Sequence, residues 1–294
     1  MKDVVEDNAR VRDANAFQAK ASEWPRTFYG TAWKEGQTAA LVTKALKAGF
    51  RAFDTANQRK HYVEADVGAA LEQACLAGLA HRQHLFIQTK FTYPAAQDAR
   101  LPYALGAPTE TQVAQSVSSS LAHLRVDHID SLLLHGPTHA HGLSEVDRRA
   151  WRALEASSAD RTVRRLGISN VSVSQLEALL SWAEYPPAFV QNRCFAVTGW
   201  DRDVRHLCRA AGVTYQGFSL LTANTEVVHH PPVVALAASL GLDAPALIFA
   251  FARQLGMVPL TGTTRWEHMQ SQLASERITL DAALVEELER IALP

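Results

Sequence analysis

The 294-residue chain has few cysteines and no excess of charge of either sign. Its three cysteines, Cys75, Cys194 and Cys208, are an odd number without C-x-x-C spacing, and they lie inside otherwise regular segments. This usage is typical of a reducing cytoplasm. The formal net charge is −1, and the lysines and arginines are scattered along the chain. Neither nucleic acid nor an anionic membrane surface is therefore expected as a partner.

Long apolar runs are also absent from the sequence. The longest, from Ala244 to Ala252, contains a proline and is far shorter than the roughly 20 residues that a membrane-spanning helix needs. Residues 1–20 are charged throughout and offer no apolar segment for secretion. We therefore expect neither a membrane segment nor export. Residues 1–25 are interpreted as a polar N-terminal extension of one domain at 26–294.

The glycine-rich signatures of the common nucleotide-binding folds are missing as well. No G-x-G-x-x-G or Walker A pattern occurs anywhere in the chain. A Rossmann or P-loop nucleotide site is therefore disfavoured.

What the sequence does contain is a regular alternation of short apolar runs with amphipathic stretches. This pattern is typical of repeated β-α units around a parallel sheet, and a hydrophobic content of 47% can supply the core of one large barrel. We predict an α/β protein with a (β/α)8 TIM-barrel fold. The predicted strands are 27–31, 51–54, 85–90, 129–134, 164–168, 188–191, 213–218 and 257–261.

Helices are predicted between these strands, and two segments interrupt the rhythm. The stretches 37–48, 110–124, 172–183 and 281–291 have helical apolar spacing, and the second and third open with Thr or Ser. The segment 91–109 is rich in Pro, Tyr, Gly and Ala, and 222–232 ends in two histidines and two prolines. Both are predicted to be loops over the barrel mouth, where long loops usually serve function.

Four ionisable residues lie where predicted strands pass into loops. Asp54, Lys90 and His135 each close an apolar run, and Tyr62 follows Asp54 on a short polar loop. In a parallel barrel the carboxyl ends of all strands share one mouth, so these side chains can meet around one substrate. The arrangement predicts a proton-transfer site.

Once these residues are placed, an ordered set of short motifs appears from about Gly30 to Ala292, and with it the chain resembles the aldo-keto reductase family. The motifs are GTAW at 30–33, FDTA at 53–56, YVEADVGAAL at 62–71, TK at 89–90, LLLHGP at 132–137, GISN at 167–170, QNR at 191–193, GFS at 217–219 and TGTTR at 261–265. The resemblance implies NADPH-dependent, reversible reduction of an aldehyde or ketone to an alcohol. It also implies that Asp54, Tyr62, Lys90 and His135 form the catalytic group.

The chemistry explains why such side chains would act together. Reducing a carbonyl requires a hydride on carbon and a proton on oxygen, and a tyrosine with an ordinary pKa near about 10 holds its proton tightly. We expect Tyr62 to be the proton donor, Lys90 to lower its pKa, and Asp54 to hold the lysine charged. His135 would polarise the carbonyl or pass a proton. The loop before Tyr62 is longer than is usual in the family and carries Lys60 and His61 as competitors.

The resemblance further implies an extended nicotinamide cofactor across the mouth. Ser169, Asn170 and Gln191 are expected to hold its carboxamide, and Phe218, a tyrosine in most of the family, to stack on the ring. Further contacts are expected from Gly30, Thr31, Ser219 and Leu220.

The phosphate end of the cofactor is expected on the segment 261–272, where TGT precedes a helix and can present backbone N–H groups to an anion. Arg265 could take the 2′-phosphate of NADP(H), which makes NADP(H) the first choice and NAD(H) the alternative. The expected contacts are Gly262, which replaces the family's usual lysine, Thr263, Arg265, and His268 and Gln272, which replace an arginine and an asparagine.

Four loop-borne aromatic residues could form an apolar wall around the substrate, namely Trp33, Tyr93, Tyr103 and Trp200. The chain stops directly after the helical stretch 281–291, from which we expect an open pocket shaped mainly by 91–109, one that tolerates bulky or polycyclic aldehydes and ketones. No heptad or exposed apolar stripe demands a partner, so a monomer or weak homo-oligomer is expected.

Other interpretations of the same residues remain open at this point. Taken one at a time, Asp54 could be a helix cap, Tyr62 an aromatic residue at the rim of the barrel, Lys90 a solvated surface charge and His135 a buried core histidine. His135, His139 and His141 form a histidine-rich turn that could indicate a metal-dependent hydrolase, although no acidic ligand accompanies them. A barrel that binds cofactor and acts as a redox-sensing partner without turnover is the third alternative. No metal site is predicted.

Overall fold

Eight parallel strands close into one barrel in the order in which they occur along the chain. The computed structural model describes residues 25–291. Pairing of Phe28 with Leu260 and of Tyr29 with Thr261 joins the first strand to the last and closes the barrel. The strands are β1 (Phe28–Gly30), β2 (Ala52–Asp54), β3 (Phe86–Phe91), β4 (Ser131–Leu134), β5 (Leu166–Ser169), β6 (Phe189–Arg193), β7 (Thr214–Phe218) and β8 (Met257–Thr261). The predicted (β/α)8 fold is confirmed.

Helices follow the strands and form the outer layer. Within residues 25–291 they are α1 (Thr38–Ala48), α2 (Glu64–Leu76), α3 (Thr109–Leu124), α4 (Glu145–Ala159), α5 (Val173–Trp182), α6 (Arg202–Ala210), α7 (Thr225–Val228), α8 (Pro231–Ser239), α9 (Ala244–Gln254), α10 (Trp266–Ala274) and α11 (Ala282–Arg290). The predicted boundaries rest on real caps. α1 ends at Gly49 in the left-handed conformation, and Ser172 forms a capping box with Gln175 at the start of α5.

Aromatic side chains fill the amino-terminal end of the barrel. Phe28, Phe86 and Phe189 stand near the starts of their strands, and the ring centroids of Phe86 lie 5.4 Å from Phe28 and 5.8 Å from Phe189, both edge to face. Such pairs pack efficiently in an apolar interior. The polar side chains of the strands gather at the opposite, carboxyl end, where the loops to the helices begin.

The two predicted mouth loops differ in structure. Segment 91–109 begins on the last residue of β3 and ends on the first residue of α3, and between them it is irregular except for a short 3-10 turn at Pro94–Ala96, which agrees with the predicted loop. The loop predicted at 222–232 is wrong in part, because α7 and the first turn of α8 lie inside it. The two prolines occupy the first positions of α8, where the N–H that proline lacks has no helical partner in any case.

Two sequence predictions concern the ends of the chain and the membrane. The predicted extension 1–25 lies outside the described residues apart from Pro25. Between residues 25 and 291, every helix taken alone is too short or too polar to cross a bilayer, and α8 and α9, bent by 88°, meet the length and composition criteria only as a pair.

Candidate active site

A buried ion pair lies at the carboxyl end of the barrel. Asp54 is the last residue of β2 and Lys90 lies near the end of β3, so adjacent strands bring them together. The Lys90 Nζ lies 2.7 Å from each carboxylate oxygen of Asp54 and donates a third hydrogen bond to the Thr55 carbonyl oxygen at 2.9 Å. All three ammonium hydrogens therefore have acceptors on β2 and the residue after it.

Tyr62 and His135 stand over this pair. The Lys90 Nζ lies 5.5 Å from the centre of the Tyr62 ring, and the rings of Tyr62 and His135 meet edge to face with centroids 6.1 Å apart. Both aromatic side chains are half-buried. The structure thus brings together all four residues of the predicted catalytic group, although Tyr62 lies eight positions after Asp54.

The two competitors of Tyr62 lie elsewhere. Lys60 is exposed. The Nδ1 of His61 lies 2.9 Å from the Gln58 side-chain oxygen, and its ring is tilted against that of Trp33 with centroids 3.7 Å apart. His61 therefore belongs to the rim of the mouth. No sequence pattern indicated this contact, because it joins the loops after β1 and β2.

The site changes the proton affinities of its members. Burial, and then the Asp54 carboxylate, raise the pKa of Tyr62 above its ordinary value. Burial lowers the pKa of Lys90, and the attraction of Asp54 opposes this shift. Burial, with smaller effects of Lys90 and His61, lowers the pKa of His135 to about 3. The pKa of Tyr62 therefore shifts in the direction opposite to the one expected, because burial, and then Asp54, outweigh any lowering by the Lys90 ammonium.

Three glutamines extend the buried polar network below Asp54. Gln88 and Gln191 each donate to the Asp54 Oδ1, at 2.7 and 2.9 Å, and each also donates to the Gln216 side-chain oxygen, at 2.8 and 3.0 Å. Gln216 returns a hydrogen bond to Gln88 at 3.1 Å. Sequence reasoning missed Gln88 and Gln216, although an amide inside a buried strand such as FIQTK or TYQGF was a readable signal.

The residues expected at the nicotinamide carboxamide are close together. The Ser169 hydroxyl donates to the Gln191 carbonyl oxygen at 2.6 Å, and the Asn170 amide donates to the His135 carbonyl oxygen at 2.8 Å. Asn170 is exposed and holds a left-handed backbone, with φ of 56°. Both amide hydrogens of Gln191 are used inside the barrel, so its Oε1 is the atom that could meet a carboxamide N–H.

The remaining contacts predicted around the nicotinamide divide into accessible and buried positions. Phe218 is half-buried at the end of β7, Ser219 follows it with a left-handed φ of 58°, and Gly30 is half-buried at the end of β1. Leu220 is buried in the core, and Thr31 is buried with its hydroxyl donating to the Asp54 carbonyl oxygen at 3.0 Å. The side chains of Thr31 and Leu220 therefore support the strands and do not line the mouth, which corrects their predicted role as ligand contacts.

The predicted phosphate segment carries more cations than the sequence indicated. Gly262 is exposed, and the Lys34 ammonium, from the loop after β1, donates to its carbonyl oxygen. Lys44 of α1 donates to the Thr264 carbonyl oxygen at 3.0 Å. Arg265 is exposed directly before α10. The sequence did not predict that Lys34 and Lys44 contact this segment, because both come from parts of the chain that are distant from it in sequence. Lys34 does, however, directly follow the GTAW motif.

The other predicted contacts of the phosphate segment differ in how exposed they are to solvent. Thr263 is half-buried and its hydroxyl accepts from the Arg265 N–H at 3.3 Å, and His268 is half-buried on α10. Gln272 is only 1% exposed, which argues against a surface contact, yet its buried Oε1 has no hydrogen-bond partner among the described residues. The two lysines and Arg265 around Gly262 and Thr264 fit a ligand that carries anionic groups.

The predicted substrate wall needs correction. Trp33 is 70% exposed at the mouth, as expected. Trp200 is 0% exposed and packs edge to face on Phe251, and Tyr103 is buried with its hydroxyl donating to the Thr92 carbonyl oxygen at 2.6 Å. The Tyr93 hydroxyl donates to Asp147 of α4 at 3.0 Å. These three side chains therefore pack between the loops and the core. Large aromatic side chains are commonly buried where a loop lies against a core.

Other apolar side chains lie exposed on the loops after the strands. Leu105 follows β3, and Phe195 and Val197 follow β6. The sequence did not predict their exposure, because it does not show which apolar residues of a loop the folded protein leaves exposed to solvent. They make the mouth more apolar than Trp33 alone.

The alternative metal site has no support in the geometry. His139 and His141 are exposed in the loop after β4. Among residues 25–291, no three His, Cys, Asp or Glu side chains converge as metal ligands would. The three cysteines carry free thiols.

Comparison with known proteins agrees with the geometry. The model of the Aldo/keto reductase family matches residues 24–225. Aldo-keto reductase family 1 member A1 of Rattus norvegicus is 29% identical over 255 residues, which are 80% of this chain and 71% of that protein. Deoxymugineic acid synthase 1 of Oryza sativa subsp. japonica is 32% identical over 219 residues, 68% of this chain and 63% of that protein.

Solved structures share the fold. The aldose reductase from Schistosoma japonicum superposes with a TM-score of 0.78 at 20% identity and covers 92% of this chain and 89% of its own. An aldo-keto reductase complexed with NADPH gives the same TM-score at 21% identity, with 92% and 85% covered.

Proposed function

Because this chain belongs to the aldo/keto reductase family, and is therefore an NAD(P)H-dependent oxidoreductase that acts on carbonyl compounds, we propose that it reduces aldehydes or ketones with NADPH and that Tyr62 supplies the proton. The observation that carries the proposal is the convergence of Tyr62 and His135 over the buried Asp54–Lys90 pair.

Tyr62 carries a proton throughout the neutral range. Its raised pKa keeps the phenol protonated, so a proton is present when a carbonyl oxygen arrives, and its release requires that the phenolate which forms be stabilised. The Lys90 ammonium, whose Nζ lies 5.5 Å from the centre of the Tyr62 ring, is a positive charge that can stabilise a developing phenolate. Asp54 keeps that ammonium charged against the effect of burial.

His135 is suited to polarise and not to protonate. With a pKa of about 3 its imidazole is neutral at physiological pH. A neutral imidazole that presents an N–H can bind the carbonyl oxygen and stabilise charge that develops there. Tyr62 is then the single proton source of the proposed reaction.

The nicotinamide cofactor, when bound, would supply the hydride to the carbonyl carbon. We propose that Ser169, Asn170 and Gln191 orient its carboxamide end. At the other end the backbone N–H groups before α10 offer an anion site at a helix N-terminus. Lys34, Lys44 and Arg265 surround that segment, which supports NADPH as the preferred cofactor and NADH as the alternative.

The substrate is proposed to be a small-molecule aldehyde or ketone, which can be bulky, with an apolar face. The exposed apolar side chains at the mouth are Trp33, Leu105, Phe195 and Val197. They lie on three different βα loops, so they can contact different sides of one molecule.

Parallel titrations of the purified chain with NADPH and NADH, followed by quenching of tryptophan fluorescence, test the cofactor. Loss of nicotinamide absorbance with a panel of aldehydes and ketones tests the reaction. Tyr62→Phe is expected to keep NADPH affinity and lose reduction, whereas the matched variants Lys60→Gln and His61→Gln keep measurable reduction. Equal rates for Tyr62→Phe and the parent would remove Tyr62 from the mechanism, and no binding of either cofactor would overturn the proposal.

A further inference from the structure

A threonine hydroxyl contacts a ring nitrogen of the histidine of the site. Thr92 directly follows β3, two positions after Lys90, and is 1% exposed. Its Oγ1 lies 2.6 Å from the Nδ1 of His135. The direction of this hydrogen bond decides which ring nitrogen of a neutral imidazole carries the proton.

The surroundings of Thr92 favour one direction. Within residues 25–291, the Nδ1 of His135 is the hydrogen-bond partner that the Thr92 hydroxyl has. If the hydroxyl only accepted from Nδ1, its own buried hydrogen would lack an acceptor, which is a costly arrangement. If it donates, both groups are satisfied, Nδ1 is the acceptor and the imidazole proton lies on Nε2.

Both backbones are held in place around this contact. The His135 N–H donates to the Phe91 carbonyl oxygen at 2.9 Å, and the Tyr103 hydroxyl donates to the Thr92 carbonyl oxygen at 2.6 Å. The hydroxyl of Thr92 and the imidazole therefore have little freedom to move apart. Tyr103, a buried residue of the mouth loop 91–109, supports this geometry.

We propose that Thr92 is a positioning residue that holds His135 in the tautomer with the proton on Nε2, so that His135 donates a hydrogen bond to the substrate carbonyl oxygen. This inference rests on the proposed function. In the reduction, the carbonyl carbon gains a hydride from the nicotinamide, and the oxygen gains the Tyr62 phenolic proton. His135 keeps its proton throughout. The resulting Tyr62 phenolate is reprotonated from water.

The neutral state that the proposal requires agrees with the groups around the ring. Burial disfavours a second proton on His135, and Lys90 and His61 repel it to a smaller extent, so the pKa of His135 falls to about 3. A single imidazole proton remains, and its position can be set by one hydrogen bond.

Two variants separate the hydroxyl from its packing. Thr92→Val keeps the shape and removes the hydroxyl, whereas Thr92→Ser keeps the hydroxyl and removes a methyl group. We expect Thr92→Val to lower kcat for carbonyl reduction roughly 10- to 100-fold, by analogy with side chains that orient metal-bound histidines. Thr92→Ser is expected to stay within about threefold of the parent, and the NADPH Kd to be unchanged in both.

Nitrogen-15 NMR of the histidine-labelled parent supplies a readout independent of turnover. The His135 signals are identified by their loss in His135→Gln, and we expect a protonated Nε2 and an unprotonated Nδ1. A protonated Nδ1 in the parent would overturn the inference even if Thr92→Val failed to fold. Equal losses in the Val and Ser variants would also overturn it, because packing would then explain the effect. A parent that shows the expected tautomer but reduces no carbonyl would leave the positioning of His135 intact and refute the proposed function.

Discussion

The Lys90 ammonium and the Asp54 carboxylate form a hydrogen-bonded ion pair that is almost completely shielded from solvent, with both N···O distances at 2.7 Å. Taking either charge out of water alone would cost several kcal/mol, on the order found for single buried ions. Each charge is therefore tolerated because the other is present. The pair serves the site and the barrel core at once.

Replacing Lys90 with methionine should therefore lower stability as well as activity. The variant leaves a buried carboxylate without its partner, and we expect a loss of about 3–5 kcal/mol in the free energy of unfolding. Urea unfolding measures this loss in the free energy of unfolding. Arg59→Ala is the matched control, since the Arg59–Glu35 pair is largely exposed and should contribute under about 1 kcal/mol. Similar unfolding midpoints for Lys90→Met and the parent would contradict this account.

The sequence predicted the barrel because its strands are short buried runs, and runs of this kind are visible without any tertiary information. It also predicted Asp54, Lys90 and His135 as neighbours, since residues at the carboxyl ends of parallel strands must share one mouth. The long loop from Asp54 left Tyr62 uncertain. In the structure the His61 ring contacts Trp33 and the Tyr62 ring contacts His135, which favours Tyr62 as the proposed proton donor.

Other parts of the site could not be predicted for physical reasons. Whether Trp200 or Gln272 faces solvent depends on packing between elements distant in sequence, and both prove to be buried. Lys34 reaches Gly262 from the other end of the chain. The direction in which the pKa of Tyr62 shifts depends on the balance between desolvation and the effect of nearby charges. No sequence motif expresses that balance.

The pH dependence of the reaction should follow from two shifted groups. The pKa of Tyr62 lies above its ordinary value of about 10, so the acid form persists to higher pH than in a free tyrosine. The pKa of His135 is about 3, so the imidazole is neutral throughout the neutral range. Between pH 6 and 9, on the order of three units, kcat/KM for reduction is expected to stay level, while alcohol oxidation, which needs the phenolate, rises with pH.

Steady-state profiles in both directions check this expectation. His135→Gln is the comparison variant. A step in the reduction profile near the ordinary histidine pKa of about 6.5, absent from the variant, would show that His135 titrates and would contradict its neutral role.

The three buried glutamines should behave as one unit. Gln216→Met removes the oxygen that accepts from both Gln88 and Gln191, and also the donor to Gln88. Unpaired buried amide groups cost about 1–3 kcal/mol each, so we expect a clear loss in the free energy of unfolding. Gln270→Met, on an exposed position of α10, should change it by less than about 0.5 kcal/mol. Equal effects of the two substitutions, measured by urea unfolding, would argue against a network.

Cofactor preference should depend on the cations around 262–265. Arg265→Ala is expected to weaken NADPH binding roughly tenfold or more and to leave NADH binding nearly unchanged, because a guanidinium binds a phosphate through a fork of donors. Fluorescence titration with each cofactor measures the ratio. Arg149→Ala, whose guanidinium pairs with Glu110 on the outer helices, is the control. A parallel loss for NADH would assign Arg265 to a group that both cofactors share.

The contact between α2 and α3 should be intolerant of a single methyl group. Gly68 lies in the segment VGAAL, and a Cβ built there would meet the His123 carbonyl oxygen at 2.1 Å and Leu124 backbone atoms at 2.6 and 2.7 Å. All of these are backbone atoms, so no side chain can move to make room, and α2 itself must shift. Since α2 begins two residues after Tyr62, the shift would also displace the proposed proton donor.

Gly68→Ala is therefore expected to lower the free energy of unfolding by about 1–3 kcal/mol or more and to reduce the rate of carbonyl reduction. Gly106→Ala provides the control, because a Cβ at that position has nothing within 4 Å. It should change the free energy of unfolding by less than about 0.5 kcal/mol. Urea unfolding and initial rates of carbonyl reduction, measured for both variants, test this expectation. If Gly68→Ala matched Gly106→Ala in stability and rate, the helix contact could not be what fixes the position of Tyr62.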